Sequence, residues 1–494
     1  MNKKTRIIFR ADGNSRIGLG HVTRSLALVH MLRREFECVF AIQSPDQALQ
    51  ERIREVCDGI IVLPPAEPDA DRFVHELDAY VSEEEIVVLD GYTFGTAYQQ
   101  NLKSRGAALV CIDDIHAYPF VADAVINQAG GVSPERYDTA PYTRLLLGPH
   151  YALLRPAFLR SAKASRPLPE GELRVLVCMG GADPDNHTLQ ALETLLAIPT
   201  VKHIEVVVGS AYTYLHELKQ QLKNYTQTKL HRDLSAENLR RLMTNCHAAV
   251  TSASGISYEY AAVGGALFVK QTVDNQAGMY QFLTSTGIAR YYNSLSQVLQ
   301  QGISQQEFES QVATQRQYFD GKSPERLLEV FRKLGLATSL KLRKVISEDL
   351  QLLFEWANDP EVRRHSFNPE PILLEDHTRW FQTKLDNPDA MLYLAEADGK
   401  PAAHIRFDLN QGIATISYLI GADFRGKGLG HTVLLKGIYQ LLQNRPDVKS
   451  VVGLVEQQNT ASVRSFEKAG FAYGEPDPAH PKAFRFIWQP KASE

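Results

Sequence analysis

Four times in this chain a short apolar run leads into a glycine-bearing loop that opens a helical pattern: after residues 6–9, 173–177, 248–250 and 414–420. A strand that hands its chain to a helix through such a loop is the building unit of layered α/β folds, so this junction constrains the architecture more than any other feature. Between the first two junctions, apolar runs at 38–42, 60–63, 86–89 and 109–112 are separated by helix-length segments. That alternation predicts parallel βαβ units. A second series starts after Arg166-Pro167-Leu168-Pro169, which reads as a hinge, with strands at 173–177, 204–208, 248–250 and 267–269. The expectation is two doubly wound, Rossmann-like domains, 1–160 and 161–335, facing each other across a cleft.

A third domain is expected over 340–494. All five cysteines lie before residue 335 and all three tryptophans after it. A short helix over 325–334 closes one pattern, and Lys341 opens a new strand. The order that follows is α+β: a strand at 342–346, a helix capped by Ser347, a break at Asn358-Asp359-Pro360, a helix at 375–384, and strands at 391–396, 404–409 and 414–420. With 494 residues, three cores are affordable. The composition, 44% hydrophobic and 22% charged with a net charge of -4, fits a globular protein and argues against a nucleic-acid partner. No membrane span or export segment is visible. The odd cysteine count without a CxxC pair argues against a disulfide framework or structural zinc, and a cytoplasmic location is expected.

The first loop runs from Asp12 to His21 and contains Gly18 and Gly20, which allow close approach of a ligand to the backbone. Binding crevices in such sheets lie at the carboxyl ends of strands. His21 falls at the start of the following helix, whose positive end disfavours an imidazolium and suits a proton acceptor. A tight turn with an incidental histidine accounts for the same residues. In the second series, Met179-Gly180-Gly181 and Ser252-Ala253-Ser254-Gly255 are loops of phosphate-cradling type, and Glu259 lies one turn beyond Gly255, placed to accept from ribose hydroxyls or simply to sit solvated in a first turn. Tyr92, after the strand at 86–89, and Asn275-Gln276 are expected to face the cleft, with packing and helix capping as their plainer roles.

Together, Phe9-Arg10-Ala11-Asp12 with Gly18-Leu19-Gly20-His21, Cys178-Met179-Gly180-Gly181, and Thr251-Ser252-Ala253-Ser254-Gly255 with Glu259 resemble the UDP-sugar hydrolases of pseudaminic acid biosynthesis, which are built like MurG-type GT-B glycosyltransferases. The resemblance covers about residues 5–300. It implies hydrolysis of UDP-2,4-diacetamido-2,4,6-trideoxy-β-L-altropyranose to UDP and free sugar. His21 would then be the general base, Gly18, Gly20, Gly181, Ser254 and Gly255 would line the diphosphate, and Glu259, Tyr92 and Asn275 would bind substrate. No metal is implied.

In the third domain, Arg425-Gly426-Lys427-Gly428-Leu429-Gly430 between strand and helix presents amides and positive charge to a pyrophosphate. Downstream, Asn459 caps a short helix that buries Val463 and Phe466 and stops at Gly470. Both segments in this order resemble the GNAT N-acetyltransferases over 340–490. That resemblance implies acetyl-CoA as cosubstrate, with Arg425, Gly426, Lys427, Gly428 and Gly430 at its pyrophosphate, Asn459 and Ser462 at the pantetheine arm, and Ile420 pairing with that arm through its backbone. Phe466 stands where many members carry the tyrosine that protonates the leaving thiolate. Glu456, His365 and His404 are candidate bases for the acceptor amine, Glu456 foremost. The segments at 356–363 and 377–381 resemble members that acetylate nucleotide-linked amino sugars, though ribosomal-protein acetyltransferases share much of them. The combined expectation is a bifunctional enzyme that acetylates a UDP-linked 4-amino sugar and then hydrolyses the product. A glycosyltransferase fused to an acetyltransferase, or a UDP-sugar-binding regulator of a protein acetyltransferase, are the alternatives.

Overall fold

The computed structural model describes residues 4–13, 19–67 and 70–490. Gly18, expected at the first binding loop, lies outside the described residues. By its internal contacts the chain divides into two compact units, Met1–Asp138 with Arg144–Val330, and Thr139–Thr143 with Phe331–Glu494.

The first unit holds two parallel sheets. Strands β1 (Arg6–Ala11), β2 (Glu37–Gln43), β3 (Gly59–Leu63), β4 (Ile86–Asp90), β5 (Ala108–Ile112), β6 (Ala124–Asn127) and β7 (Arg144–Leu147) are ordered 3-2-1-4-5-6-7. Strands β8 (Arg174–Cys178), β9 (His203–Val208), β10 (Thr228–Arg232), β11 (Ala248–Ser252), β12 (Ala266–Lys270) and β13 (Arg290–Tyr291) are ordered 10-9-8-11-12-13. The central strands are buried along nearly their whole length, as helices on both faces require. In each sheet the order reverses once, between β1 and β4 and between β8 and β11. These are the switch points where a doubly wound sheet opens a crevice at its strand ends. The Arg166-Pro167 segment is not a free hinge. The Arg166 guanidinium is buried and donates to the carbonyls of Gly264 and Cys246 at 2.8 and 2.7 Å, which pins the segment to the second sheet's helices.

The second unit has one mixed sheet. Strands β14 (Lys341–Lys344), β15 (Ala390–Ala397), β16 (Lys400–Asn410), β17 (Ile413–Ile420), β18 (Ser450–Glu456), β19 (Ala472–Tyr473) and β20 (Ala483–Trp488) are ordered 14-15-16-17-18-20-19. All its pairings are antiparallel except β17 with β18, and that parallel ladder runs only from Ile413↔Ser450 to Ile416↔Gly453. Beyond it the two strands part. The helix Gly430–Asn444 buries Val433, Leu434, Ile438 and Leu441 against this sheet.

Candidate functional site

In the first sheet, Ala11 at the end of β1 is in register with Asp90 at the end of β4, so the switch point brings this carboxylate under the helix Gly20–Leu32 that carries His21. Asp90 is fully buried. Its oxygens accept from Arg24 Nη2 at 2.6 Å and Nε at 2.8 Å and from Ser25 Oγ at 3.1 Å, and His21 Nδ1 lies 2.7 Å from Oδ1. Burial pushes the Asp90 carboxyl up, but Arg24 and then His21 outweigh it and hold it below the usual carboxylate range. A charged acceptor at that distance assigns the proton to Nδ1 in the neutral ring and leaves the Nε2 lone pair for a substrate. Arg24 is tied on its other side to Asp114 at 2.9 Å. The helix end invoked from sequence is therefore only part of the electrostatics, since a buried anion faces the same ring. The Tyr92 ring stands edge-on to His21 with centroids 4.9 Å apart, and burial, then Asp114, push its hydroxyl up to about 12.

In the second sheet, the loops after β8 and β11 meet. Gly180, at φ +99°, makes a turn that side chains rarely adopt, and a Cβ there would lie 3.9 Å from Ser252 Oγ. A Cβ on Gly209 would come within 2.6 Å of the Gly181 carbonyl, so Gly181 is held close against its neighbour. Ser254 is extended and gives no side-chain cap to the helix Gly255–Val263; its hydroxyl is 2.8 Å from that of Ser252. The Ser257 amide donates to the Ser254 carbonyl at 2.9 Å, while the Gly255 and Ile256 amides that open the helix receive no side-chain cap, and open space surrounds Gly255. Glu259 is gripped by Arg155 through two bonds of 2.6 and 2.7 Å, which orient the carboxylate while leaving lone pairs on both oxygens. Its neighbour Tyr258 accepts from the Gly130 amide at 3.0 Å, joining the helix Gly255–Val263 of the second sheet to the loop after β6 of the first. Asn275 is exposed on the turn Asp274–Gln276; it does not cap the next helix, whose N-cap is Gln276.

In the second unit, the parting of β17 and β18 leaves residues 417–420 and 454–456 facing one another without ladder bonds, a wedge that an extended ligand chain can enter as an added strand. Gly426 and Gly428 have φ of +72° and +81°, and no atom lies within 4 Å of where a Cβ would stand. Three of the expected residues are already engaged within this domain. Arg425 is held in place by two partners: its Nη2 pairs with Asp359 at 2.8 Å and its Nε donates to the Ile420 carbonyl at 3.1 Å. The Ile420 carbonyl correspondingly already has a donor. Gly430 is a packing glycine, since a Cβ would meet Ser465 Oγ at 2.3 Å. Lys427 lies over the Phe424 ring, its nitrogen 4.9 Å from the centroid.

Asn459 does cap the helix Thr460–Lys468 through the Ser462 amide, and Tyr418 donates to Ser462 Oγ at 3.3 Å. Phe466 is buried against Phe471 and Phe486. Of the candidate bases, His404 is buried and pushed down to about 3 by burial, then Arg406 and His377; it is a core residue and no base for an amine. His365 pairs with Glu361 at 3.4 Å. Glu456 stands half-buried at the open end of β18. Asp359, which reads in the sequence as a helix breaker, caps the helix Pro360–Arg364 and anchors Arg425. Among the described residues, no group of three or more His, Cys, Asp or Glu could hold a metal ion, and no helix is long and apolar enough to cross a membrane.

Residues 339–472 match the family model described as acetyltransferase (GNAT) domain. An uncharacterized protein of Methanocaldococcus jannaschii is 25% identical over 486 residues, 94% of this chain and 96% of that one, so both units recur together. The UDP-2,4-diacetamido-2,4,6-trideoxy-beta-L-altropyranose hydrolase of Campylobacter jejuni is 26% identical over 259 residues, 51% of this chain and 87% of that one. An aminoglycoside N(6')-acetyltransferase type 1 of Serratia marcescens is 27% identical over 165 residues, 28% of this chain and 82% of that one. The chain therefore joins a region resembling a sugar-nucleotide hydrolase to a GNAT domain, whose cosubstrate is acetyl-CoA.

Proposed function

We propose that the chain is a bifunctional nucleotide-sugar enzyme: the second unit acetylates the 4-amino group of a UDP-linked 4-amino-4,6-dideoxy sugar, and the first hydrolyses the resulting UDP-diacetamido sugar. The observation that carries the hydrolytic half is the His21–Asp90 pair at the switch point of one sheet, in the same unit as the uncapped helix start at Gly255 in the other. His21 Nε2 takes a proton from water as its oxygen attacks the anomeric carbon; the bond from that carbon to the diphosphate breaks, and UDP leaves with the electron pair. The amides at Gly181 and Gly255, with the Ser254 hydroxyl, offset the charge on the departing group, and Glu259, oriented by Arg155, accepts from the ribose. Gly20 lies beside His21 on this path, and Tyr92 and Asn275 complete the sugar side.

In the second unit, acetyl-CoA lies in the wedge, with its pyrophosphate at the loop Gly426–Gly430 and Lys427, and its pantetheine arm along β17 toward Asn459 and Ser462. Glu456 accepts the proton that the attacking amine loses, and the thiolate leaves. An amino sugar acceptor is supported by the aminoglycoside acetyltransferase relative, and a UDP-diacetamido sugar substrate by the hydrolase relative; the place we propose for the chain is pseudaminic acid synthesis in the cytoplasm. Purified protein given acetyl-CoA and UDP-4-amino sugars should release CoA first and then UDP, with free diacetamido sugar seen by NMR. CoA release without UDP release, or UDP release only when a sugar acceptor is added, would overturn the reading.

A further inference from the structure

Arg24 stands one helical turn beyond His21 on the helix Gly20–Leu32, so the two side chains leave the same face. Its fork closes on Asp90, with Nε 2.8 Å from Oδ2 and Nη2 2.6 Å from Oδ1, and the same Nη2 lies 3.1 Å from His21 Nδ1. Nδ1 is itself 2.7 Å from Oδ1. Two donors thus converge on one carboxylate oxygen, and the contact between them is no hydrogen bond: a guanidinium is held against the proton-bearing edge of the imidazole. On its far side Arg24 donates from Nη1 to Asp114 Oδ2 at 2.9 Å. Burial disfavours the charge on Arg24, but Asp90 and then Asp114 outweigh it, and the cation persists. The groups that face His21 are Asp90 from β4, Tyr92 from the turn after it and Arg24 from its own helix, with Asp114, just after β5, behind Arg24.

We propose that Arg24 is a positioning residue that keeps the His21–Asp90 pair one proton short, and so keeps His21 available as a base at and below neutral pH. This rests on the reading of His21 as the general base of hydrolysis. Asp90 is buried, and without the guanidinium its charge is offset by His21 and the Ser25 hydroxyl alone, so the pair takes up a proton. That proton either makes an imidazolium or sits on Asp90 and drives the ring's own proton to Nε2. In both forms the Nε2 lone pair is lost, and the attacking water has no acceptor. With Arg24 in place the carboxylate is already paired, and the ring waits neutral. It is a weaker acceptor beside the cation, but an unoccupied one.

The test is UDP release from the UDP-diacetamido sugar by the full chain as a function of pH, for the parent, Arg24→Gln, Arg24→Lys and Asp114→Asn. The His21 ring is followed by NMR in the same proteins, its signal assigned by its loss in His21→Asn. Arg24→Gln should move the acid limb of the rate and the ring titration together to higher pH by about one to three units, the effect of one charge at this range, with turnover recovered as the pH is raised. Arg24→Lys keeps the charge and should keep the limb, even where its rate falls. Asp114 is exposed, and Asp114→Asn is the variant least able to disturb folding; it removes a charge that offsets Arg24 and should move the limb to lower pH. An Arg24→Gln limb that coincides with the parent's, an Arg24→Lys limb displaced as far as that of Arg24→Gln, or an Asp114→Asn limb that does not fall overturns the assignment. If His21→Asn releases UDP at the parental rate, it is the general-base reading that fails.

Discussion

Replacing Asp90 by asparagine separates an orienting role from a merely structural one. Asp90 is buried and faces four donors on three side chains: His21, Arg24 twice, and Ser25. Asparagine keeps the shape but loses the charge, and its amide can donate to His21 Nδ1. That would move the ring proton to Nε2 and remove the lone pair that activates water. By analogy with other base–orienter pairs, turnover should fall about 10³- to 10⁴-fold, with KM nearly constant because Asp90 touches no substrate. Stability should fall as well. Removing one partner of a buried ion pair costs about 3 to 5 kcal/mol, and Asp114 still partners Arg24 at 2.9 Å, so the lower end applies. At about 2 to 3 °C per kcal/mol, the first unit should melt roughly 6 to 9 °C lower. UDP release is measured well below that melting point, for the parent, Asp90→Asn, His21→Asn and the double variant. If Asp90 acts through His21, the double variant is no slower than His21→Asn alone. UDP release by Asp90→Asn within threefold of the parent, or a further large loss in the double variant, would refute the dyad.

Three further outcomes concern the second unit. His404, depressed from 6.5 to about 3 in the folded state, stays neutral while an unfolded chain takes up a proton below about 6.5; stability present above that pH is therefore lost as pH falls from 6.5 toward 3, at about 1.4 kcal/mol per pH unit. Urea midpoints followed by tryptophan emission report this unit, which holds all three tryptophans, and His404→Met should flatten the slope; an unchanged slope refutes the assignment. Gly430→Ala should destabilise the same unit by about 1 to 3 kcal/mol through contact with Ser465, and Ser465→Ala should restore part of the loss; full stability in the single variant would contradict the packing role. Glu456→Gln should slow acetyl transfer about 10²- to 10⁴-fold and leave hydrolysis of a pre-acetylated substrate untouched; parental CoA release would remove Glu456 as the base.

The strands that form the centres of the two parallel sheets were legible because their runs are apolar and bounded by loops. Among those that escape notice, Thr228–Arg232 is a polar, half-exposed edge and Ser450–Glu456 alternates between buried and half-buried positions without a continuous apolar run, whereas Ala124–Asn127 is buried throughout and escapes by its shortness. The site divides along the same line. His21 announces itself by its place after glycines at a strand end. Asp90 is a lone aspartate whose meaning depends on β4 lying next to β1, a pairing that no local pattern encodes. Arg425 shows the same dependence: its position beside the glycines suggests a phosphate ligand, while its ion pair with Asp359, 66 residues upstream, is invisible to any local pattern. Local motifs identify loops; long-range pairing decides which charges in them remain available.

On the proposed function, the chemistry also gives a reason for one chain to carry both reactions in a set order. While UDP occupies the anomeric oxygen, C1 is locked and the sugar cannot open. Once UDP leaves, the ring opens to an aldehyde, and an unprotected amine at C4 can close on C1 to a five-membered cyclic imine. An amide nitrogen cannot, because its lone pair is delocalised into the carbonyl. Acetylation before hydrolysis thus preserves the open sugar for later use, whereas hydrolysis first would discard it. A hydrolase that favours the acetylated substrate, made alongside the acetyltransferase in fixed one-to-one ratio, keeps that order without further regulation, and the recurrence of both units in the archaeal relative across 94% of this chain is consistent with selection for their joint production.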